Sequence, residues 1–260
     1  MQLVQLVLLQ VLLHKQFVIQ NLLIQKVYKI EVYTLFYMKA FTILGERNSG
    51  THFLQYAIIF NFHLEYHKGT KHFFGHSDVA DFPLETKDHT IYFCMVRHPI
   101  EWVDSLFKRL HHIPPENKVS ADAFVKNEWY SIYEEGEKKG QEILEDRDMV
   151  TQNRYANILE MRKGKLNFFL QMQTQQKCKY FYLINYEDLR NNYATILNDI
   201  AARFHLERKY ETWIPVPKYK GTFNALYEKK PILLSAEIQQ YIKDHIDIEQ
   251  ERRFGYLIET

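Results

Sequence analysis

The sequence predicts an α/β fold of three layers, in which a central, mostly parallel sheet is flanked by helices. The shorter apolar run Ala40–Leu44 is predicted to be the first strand, and the nearly continuous apolar run Thr90–Val96 has the composition of a buried central strand. Helical and strand-like patterns alternate from residue 38 onward, which is the order expected when helices connect parallel strands. A glycine-containing loop follows the first run and leads into a helical pattern. The 260 residues suit one large α/β domain, with two small domains as the alternative.

The first half of the chain is predicted to supply most of the sheet. Apolar residues recur at helical spacing after the glycine-containing loop, and β-prone residues fill the apolar runs. A helix is predicted to start at Pro99, and Pro114 with Pro115 indicates a loop. In chain order, the predicted elements are strand 40–44, helix 51–60, strand 63–66, strand 90–96, helix 99–110 and loop 111–120.

The second half is predicted to be mainly helical, with one more strand. A basic stretch at Arg162–Lys165 separates two helical patterns, and a long amphipathic pattern follows the last strand. The predicted elements are helices 121–133, 138–145, 153–161 and 166–173, strand 179–185, helix 189–204, an irregular stretch at 213–220 and helix 235–248.

Residues 1–37 are expected to be an extension that precedes a domain at 38–260. The apolar stretch Leu3–Leu13 is interrupted by Gln5 and Gln10, and it is shorter than the roughly 20 residues that span a bilayer. It also lacks a basic segment before it and a small-residue cleavage site. One alternative is a start that is not native. The other is a weak signal-anchor in residues 1–24, which would replace the expected cytoplasmic location with the Golgi lumen.

Composition narrows the classes of function. The formal net charge is +1, whereas general nucleic-acid binders carry a strongly basic face. Nucleic acid is therefore not expected as a partner. Cys94 and Cys178 are the only two cysteines and stand far apart in apolar surroundings. Neither a disulfide framework nor a metal site is therefore predicted, and buried thiols in a reducing compartment are expected.

The loop after the first strand is the first motif that carries chemistry. Gly45 and Gly50 have the spacing of a P-loop, but Thr51 replaces the lysine that would grip a β/γ-phosphate. Backbone N–H groups at a helix start still attract an anion, so phosphate or sulfate binding is predicted without nucleoside triphosphate chemistry. A strand-to-helix turn with a capping hydroxyl is the alternative. The candidate binding residues are Arg47, Asn48, Ser49, Gly50, Thr51 and His52.

The second motif follows the buried strand. Arg97 lies at the carboxyl end of that strand, where open α/β sheets bind ligands. Ser105 comes eight residues later, on a side of the next helix that can face the same ligand. A guanidinium and a hydroxyl that converge on one point suit a phosphate monoester. A surface arginine and an ordinary helix serine are the alternative for either residue alone.

Together, the two motifs resemble those of the PAPS-dependent sulfotransferases over about residues 40–258. The resemblance implies that Arg47–Thr51 bind the 5′-phosphosulfate of 3′-phosphoadenosine 5′-phosphosulfate (PAPS), and that Arg97 with Ser105 bind its 3′-phosphate. Asn185–Leu189 is similar to the Tyr-Glu-Asp segment of the family, and Arg253–Tyr256 is a weaker match. Two departures stand out. Arg47 replaces a lysine found in many members, and the C-terminal Arg-Lys-Gly element is represented at most by Lys218–Gly221.

The resemblance further implies a sulfuryl transfer to an acceptor hydroxyl, with 3′,5′-adenosine bisphosphate as the second product and without a metal. His72, beside Lys71, is the first candidate for the base, ahead of His76 and His67, because imidazole suits proton abstraction near neutral pH. Arg47 is expected to stabilise the departing phosphate. Carbohydrate, phenolic and small alcohol acceptors stay open, as does the oligomeric state. The alternatives are a degenerate P-loop kinase, in which His52 occupies the place of the metal-binding hydroxyl, and an inactive nucleotide-binding protein.

Overall fold

Four parallel strands form the sheet in the part of the chain that the computed structural model describes. This part comprises residues 40–69, 71–74, 89–174, 178–216 and 231–259, together with residues 20 and 38. The strands are β1 (Ala40–Gly45), β2 (Glu65–Tyr66), β3 (Thr90–Val96) and β4 (Tyr180–Asn185), in the order β2-β1-β3-β4. The chain divides into two compact units, residues 1–38 and 39–260. All four strands belong to the second unit.

The central strands β1 and β3 form because their sequences can be buried on both faces. Every residue of β1 and of β3 is buried, including Thr42 and Thr90. Such strands occur in parallel sheets that are covered by helices on both sides. The register aligns the carboxyl ends, since Gly45 lies opposite Met95, and Met95 lies opposite Ile184. The segments that follow β1, β3 and β4 therefore leave the sheet side by side.

Eight α-helices lie in the described residues. Their bounds are α1 (Thr51–Asn61), α2 (Pro99–Phe107), α3 (Ala121–Lys126), α4 (Ile158–Thr174), α5 (Tyr186–Asn191), α6 (Tyr193–Phe204), α7 (Ala236–His245) and α8 (Ile248–Arg253). Local sequence sets several of these starts. Pro99 takes the first position of α2, while the side chains of Ser120, Ser235 and Asp247 cap α3, α7 and α8. The predicted α/β class, with a parallel sheet flanked by helices, is confirmed.

Backbone pairing between distant residues shortens one predicted helix and replaces another. The helix predicted at 121–133 ends at Lys126, since Trp129 and Tyr155 exchange both backbone hydrogen bonds in an antiparallel bridge. The stretch 138–145 is also not helical. The N–H of Ile143 donates to the carbonyl of Ser131 at 2.7 Å, and only a short 3₁₀ turn follows at Leu144–Asp146.

Other predicted helix boundaries also change. The expected break at Arg162–Lys165 does not exist, because α4 continues through both side chains and buries them against acidic partners. The helix predicted at 189–204 is two helices, α5 and α6, which are separated at Asn192. The last predicted helix likewise divides into α7 and α8, because Asp247 caps a new helix.

Candidate anion-binding site

The order of the strands identifies where a ligand of this sheet would bind. From β1 the chain first forms β2 on one side, and β3 then pairs with the other side of β1. The carboxyl ends of β1 and β3 therefore flank a topological switch point, which is the place where open α/β sheets bind ligands. Both sequence motifs begin at this point, because the glycine-containing loop follows β1 and Arg97 follows β3.

The loop between β1 and α1 turns tightly around its own hydrogen bonds. The Ser49 hydroxyl donates to the Glu46 carbonyl at 2.7 Å, and the Ser49 N–H donates to the same oxygen at 3.1 Å. Asn48 and Gly50 both have positive φ values, 61° and 100°. The helix α1 then starts at Thr51 without a side-chain cap and without an acidic residue in its first turn. Its first N–H groups have no partner within the helix, so this end attracts an anion.

Gly50 is required for steric as well as conformational reasons. A Cβ atom at this position would lie 2.3 Å from Cδ2 of Tyr186, which is closer than two carbon atoms can approach. Tyr186 is the first residue of α5 and is buried. Its ring therefore lies directly against the start of α1, at the carboxyl edge of the sheet.

Arg97 and Ser105 are brought to the loop through Asn48. The guanidinium of Arg97 donates from Nη1 to the Asn48 carbonyl at 3.1 Å. The Asn48 side-chain amide donates to the backbone carbonyl of Ser105 at 2.8 Å. The contact to Ser105 thus involves its main chain, and the residue itself is half-buried in α2. The two motifs, which are about fifty residues apart in the sequence, meet in one place.

The guanidinium of Arg97 is buried, and its interactions with the protein leave one of its hydrogen-bond donors unsatisfied. Its Cζ lies 4.5 Å from the centroid of the Tyr186 ring, and Nη2 lies 3.7 Å from the Glu101 carboxylate. Nε is buried and has no hydrogen-bond partner among the described residues. The backbone of Arg97 is fixed separately, because the buried side chain of Arg162 donates to its carbonyl at 2.9 Å. A buried guanidinium with an unsatisfied donor suits an anionic ligand.

Arg47, in contrast, is committed to groups of the protein. Its guanidinium donates to the Ser131 hydroxyl at 2.7 Å, to the His111 carbonyl at 3.0 Å and to Asp146 at 3.3 Å. Its own carbonyl accepts a hydrogen bond from the Trp102 indole. The sequence-based prediction directed this cation to a departing phosphate. In the structure, the Arg47 guanidinium instead contacts the buried Asp146 carboxylate. Stabilisation of a departing phosphate by Arg47 stays a prediction, and it would require the guanidinium to leave Asp146.

Behind the loop, Asp146 joins two buried cations. Lys165 donates from Nζ to Asp146 at 2.8 Å and to the His72 carbonyl at 2.9 Å. Burial alone would raise the pKa of Asp146, but the charges of Lys165 and Arg47 and the hydrogen bonds from Lys165 and Ser131 outweigh it and lower the pKa. These ion pairs link α4, the loop and the segment around His72.

Glu46 is the second acidic residue of this buried group. Its Oε1 lies 3.9 Å from Lys165 Nζ, which is too far for a hydrogen bond, and it has no hydrogen-bond partner among the described residues. Burial raises the pKa of Glu46 to about 7, although the charge of Lys165 acts in the opposite direction. Near neutral pH, the loop therefore contains a carboxyl group that is partly protonated.

His72 lies beside the loop in one defined tautomer. Its Nδ1 is 2.7 Å from the Gly45 carbonyl, and a carbonyl only accepts, so Nδ1 carries the proton and Nε2 keeps a lone pair. Burial lowers the pKa of His72 to about 3, with smaller contributions from the charges of Lys71 and Arg47. The neighbouring Lys71 donates to the Gln55 side chain at 3.2 Å, and burial lowers its pKa to about 8.

The other predicted residues differ in how far the structure describes them. His52 occupies the first turn of α1, as expected, while His67 is exposed beyond β2. His76 lies outside the described residues, as do residues 1–19, 21–37 and 218–221. Within the described ranges, no helix combines the length and the apolar character that crossing a bilayer requires. Those ranges also contain no group of three His, Cys, Asp or Glu side chains arranged to hold a metal.

Two residues with a part in this site, Asp146 and Lys165, were missed from the sequence, and the contact of Tyr186 with the loop was not predicted although its segment was matched to the family. Asp146 and Lys165 support the loop from behind, and the Tyr186 ring lies against Gly50 and Arg97. The signal for Lys165 was available, because a lysine on the apolar face of a helical pattern needs a buried acidic partner. The identity of that partner was not available, since Asp146 lies in a segment whose path depends on distant pairing.

Comparison of the chain with models of known protein families, with curated proteins and with solved structures finds no match in any of the three. The case for a function therefore depends on the residues and geometry of this site.

Proposed function

We propose that this protein is a sulfotransferase that moves a sulfuryl group from PAPS to an acceptor hydroxyl. One observation carries the proposal. The guanidinium of Arg97 lies on the Asn48 carbonyl, immediately beside the uncapped start of α1, at the switch point of the sheet. Two anion-binding elements at one place suit a nucleotide with two separate phosphate groups.

The residues of the site fit such a donor. Backbone N–H groups of residues 48–52 are assigned to the 5′-phosphosulfate, where the helix dipole adds to their attraction. Arg97, with its unsatisfied Nε, and the Ser105 hydroxyl are assigned to the 3′-phosphate. The product that then dissociates is 3′,5′-adenosine bisphosphate. Thr51 in place of a P-loop lysine supports this donor over a nucleoside triphosphate.

His72 is assigned to the acceptor side of the reaction. When bound, PAPS supplies a sulfuryl group whose bond to the 5′-phosphate oxygen breaks as the acceptor oxygen bonds to sulfur. His72 takes the acceptor proton at Nε2, because its Nδ1–H is held by the Gly45 carbonyl. A polyanion beside the loop raises the pKa of His72 from about 3, since negative charge favours the imidazolium. His76 is the second candidate for this role, and the acceptor is a carbohydrate or phenolic hydroxyl.

The rival functions make a different prediction about ligands. A degenerate P-loop kinase would bind ATP with Mg²⁺, and an inactive relative of the same fold would bind the bisphosphate but transfer nothing. We propose a cytoplasmic location, with the Golgi lumen as the alternative. The compartment determines where the protein would encounter PAPS, but it does not change the residues of the site.

The test measures thermal unfolding with 3′,5′-adenosine bisphosphate and, separately, with ATP and Mg²⁺. At a ligand concentration of 100 Kd, binding stabilises the fold by about 2.7 kcal/mol, which raises the Tm of a domain of this size by roughly 5–10 °C. We expect this rise with the bisphosphate and a smaller one with ATP and Mg²⁺. The reverse order would favour the kinase and refute the proposal.

Substitution of Arg97 makes the test specific to the site. Arg97→Met should weaken bisphosphate binding by roughly 10- to 150-fold, because a hydrogen bond to a charged group contributes about 1.5–3 kcal/mol. Arg97→Lys keeps the charge and should have a smaller effect. Arg203→Met, which removes an exposed arginine from α6, is the matched control. Unchanged affinity in folded Arg97→Met would exclude Arg97 from the donor site.

A further inference from the structure

The buried ion pair of Arg47 differs in geometry from that of a second buried arginine. Arg162 donates to both carboxylate oxygens of Glu251, at 2.5 Å from Nε and at 2.7 Å from Nη2. Arg47 donates to one oxygen of Asp146, at 3.3 Å, which is longer than the hydrogen bonds that its guanidinium makes to uncharged groups. Charge-assisted hydrogen bonds usually measure about 2.7–2.9 Å. Asp146 therefore holds Arg47 less firmly than Glu251 holds Arg162.

Asp146 also keeps a cation if Arg47 moves away. Lys165 donates to Oδ1 of Asp146 at 2.8 Å, whereas Arg47 contacts Oδ2. The Ser131 hydroxyl donates to Oδ2 as well. Loss of the last cation from a buried carboxylate is strongly destabilising, but here Lys165 stays in place. Movement of the Arg47 side chain consequently leaves no unpaired charge behind the loop.

The main chain of Arg47 is fixed independently of its side chain. The Trp102 indole donates to the Arg47 carbonyl at 3.0 Å, and the next carbonyl, that of Asn48, accepts from Arg97 at 3.1 Å. The backbone N–H groups assigned to the 5′-phosphosulfate begin at Asn48, directly after Arg47 in the chain. Rotation of the Arg47 side chain can therefore exchange Asp146 for an anion on the loop while the loop keeps its shape.

We propose that Asp146 is a positioning residue that holds the Arg47 guanidinium away from the anion site until PAPS binds. This inference rests on the proposed function and extends it. The bound phosphosulfate competes with Asp146 for Arg47, and Lys165 then remains as the cation of Asp146. Because the nucleotide has to displace Arg47 from Asp146, this contact lowers the affinity that the free protein would otherwise have.

Calorimetric titration of the full chain with 3′,5′-adenosine bisphosphate tests the proposal. Asp146→Asn keeps the shape of the side chain but removes its charge, so binding should become about 3- to 30-fold tighter as Arg47 is released. A residue that only supported the fold would give unchanged or weaker binding when it is replaced. Ser131→Ala removes a hydroxyl that accepts from Arg47 at 2.7 Å, and it should tighten binding by a smaller factor. Thermal unfolding establishes that each variant is folded.

A double-mutant cycle separates the release of Arg47 from the simple loss of a negative charge, which also favours an anion. In an Arg47→Met background, Asp146→Asn should lose most of its effect on affinity, because no guanidinium is left to release. Glu142→Gln is the matched control, since it removes a carboxylate that pairs with Arg147 and Arg154 instead. It should change the affinity by less than about twofold.

Two results would overturn the inference while leaving the proposed function intact. One is unchanged or weaker binding in Asp146→Asn, or in Ser131→Ala where only that variant folds. The other is a gain from Asp146→Asn that persists undiminished in the Arg47→Met background. If the wild-type protein binds no bisphosphate, the proposed function itself fails.

Discussion

Replacement of Lys165 by methionine tests whether the buried ion pairs behind the loop hold the site together. Lys165 is almost completely buried in α4, where it donates to Asp146 at 2.8 Å and to the His72 carbonyl at 2.9 Å. Methionine keeps the length and the apolar part of the side chain but removes the charge. It leaves Asp146 with Arg47 as its remaining cation, at 3.3 Å, and removes the donor from the His72 carbonyl.

The expected loss of stability follows from the burial of this ion pair. Removing one partner of a buried pair costs about 3–5 kcal/mol, because the other charge stays buried with too little compensation. Lys163→Met, two residues away on the same helix, is the matched control. Its Nζ lies 3.6 Å from Asp247, and nearly half of its side chain is exposed, so its loss should be at most about 1 kcal/mol.

Equilibrium unfolding in urea at pH 7 measures both losses. We expect Lys165→Met to lower the free energy of unfolding by at least about 2 kcal/mol more than Lys163→Met does. A cycle with Asp146→Asn should show that the two substitutions are not additive, since both remove the same contact. Equal losses in the two lysine variants would refute the claim that Lys165 supports the loop.

Three further predictions concern the loop itself. Gly50→Ala should destabilise the fold by about 1–3 kcal/mol more than Gly136→Ala, because both glycines have positive φ but only Gly50 adds a clash with Tyr186; equal losses in urea unfolding would contradict the close approach. The neutral form of Glu46 stabilises the fold fully below pH 4.5, and this contribution is lost as the pH rises through about 7. Glu46→Gln should therefore gain about 3 kcal/mol over the wild type between pH 4.5 and pH 8, and a difference independent of pH would contradict the raised pKa. His72→Asn keeps a donor for the Gly45 carbonyl but removes Nε2, so transfer of labelled sulfuryl should fall by roughly 10²- to 10⁴-fold while bisphosphate affinity is unchanged; full turnover would exclude His72 as the base.

The sheet was predictable because strands buried on both faces have distinctive sequences. The seven residues of β3 were bounded correctly from their apolar run alone, and β1 was short by one residue. The stretch after α3 was not predictable in this way. Its helical spacing is real, but Trp129 instead pairs with Tyr155, 26 residues later, and local spacing contains no information about such a pairing.

The candidate site shows the same division between local and distant causes. The meeting of Arg97 with the loop followed from two motifs at the carboxyl ends of neighbouring strands, and the structure brings them together through Asn48. The partner of the Arg47 side chain could not be predicted from the sequence in this way. Its acidic partner, Asp146, lies 99 residues away, so a loop cation suited to a phosphate by its position is held by a buried carboxylate.

The same reason explains the false break in α4. A run of basic residues within a helical pattern usually indicates an exposed segment, and Lys163 is indeed exposed. Arg162 is buried because Glu251, from α8, accepts two of its hydrogen bonds at 2.5 and 2.7 Å. Burial of a charge depends on a partner that sequence spacing cannot reveal.

A crystal structure of the protein with adenosine 3′,5′-bisphosphate would test the central claim most directly. The account predicts that oxygens of the 5′-phosphate lie about 2.7–3.2 Å from backbone nitrogens of residues 48–52, and that an oxygen of the 3′-phosphate lies at a similar distance from the Arg97 guanidinium. A nucleotide bound away from the switch point, or one whose 3′-phosphate has no contact with Arg97, would contradict it.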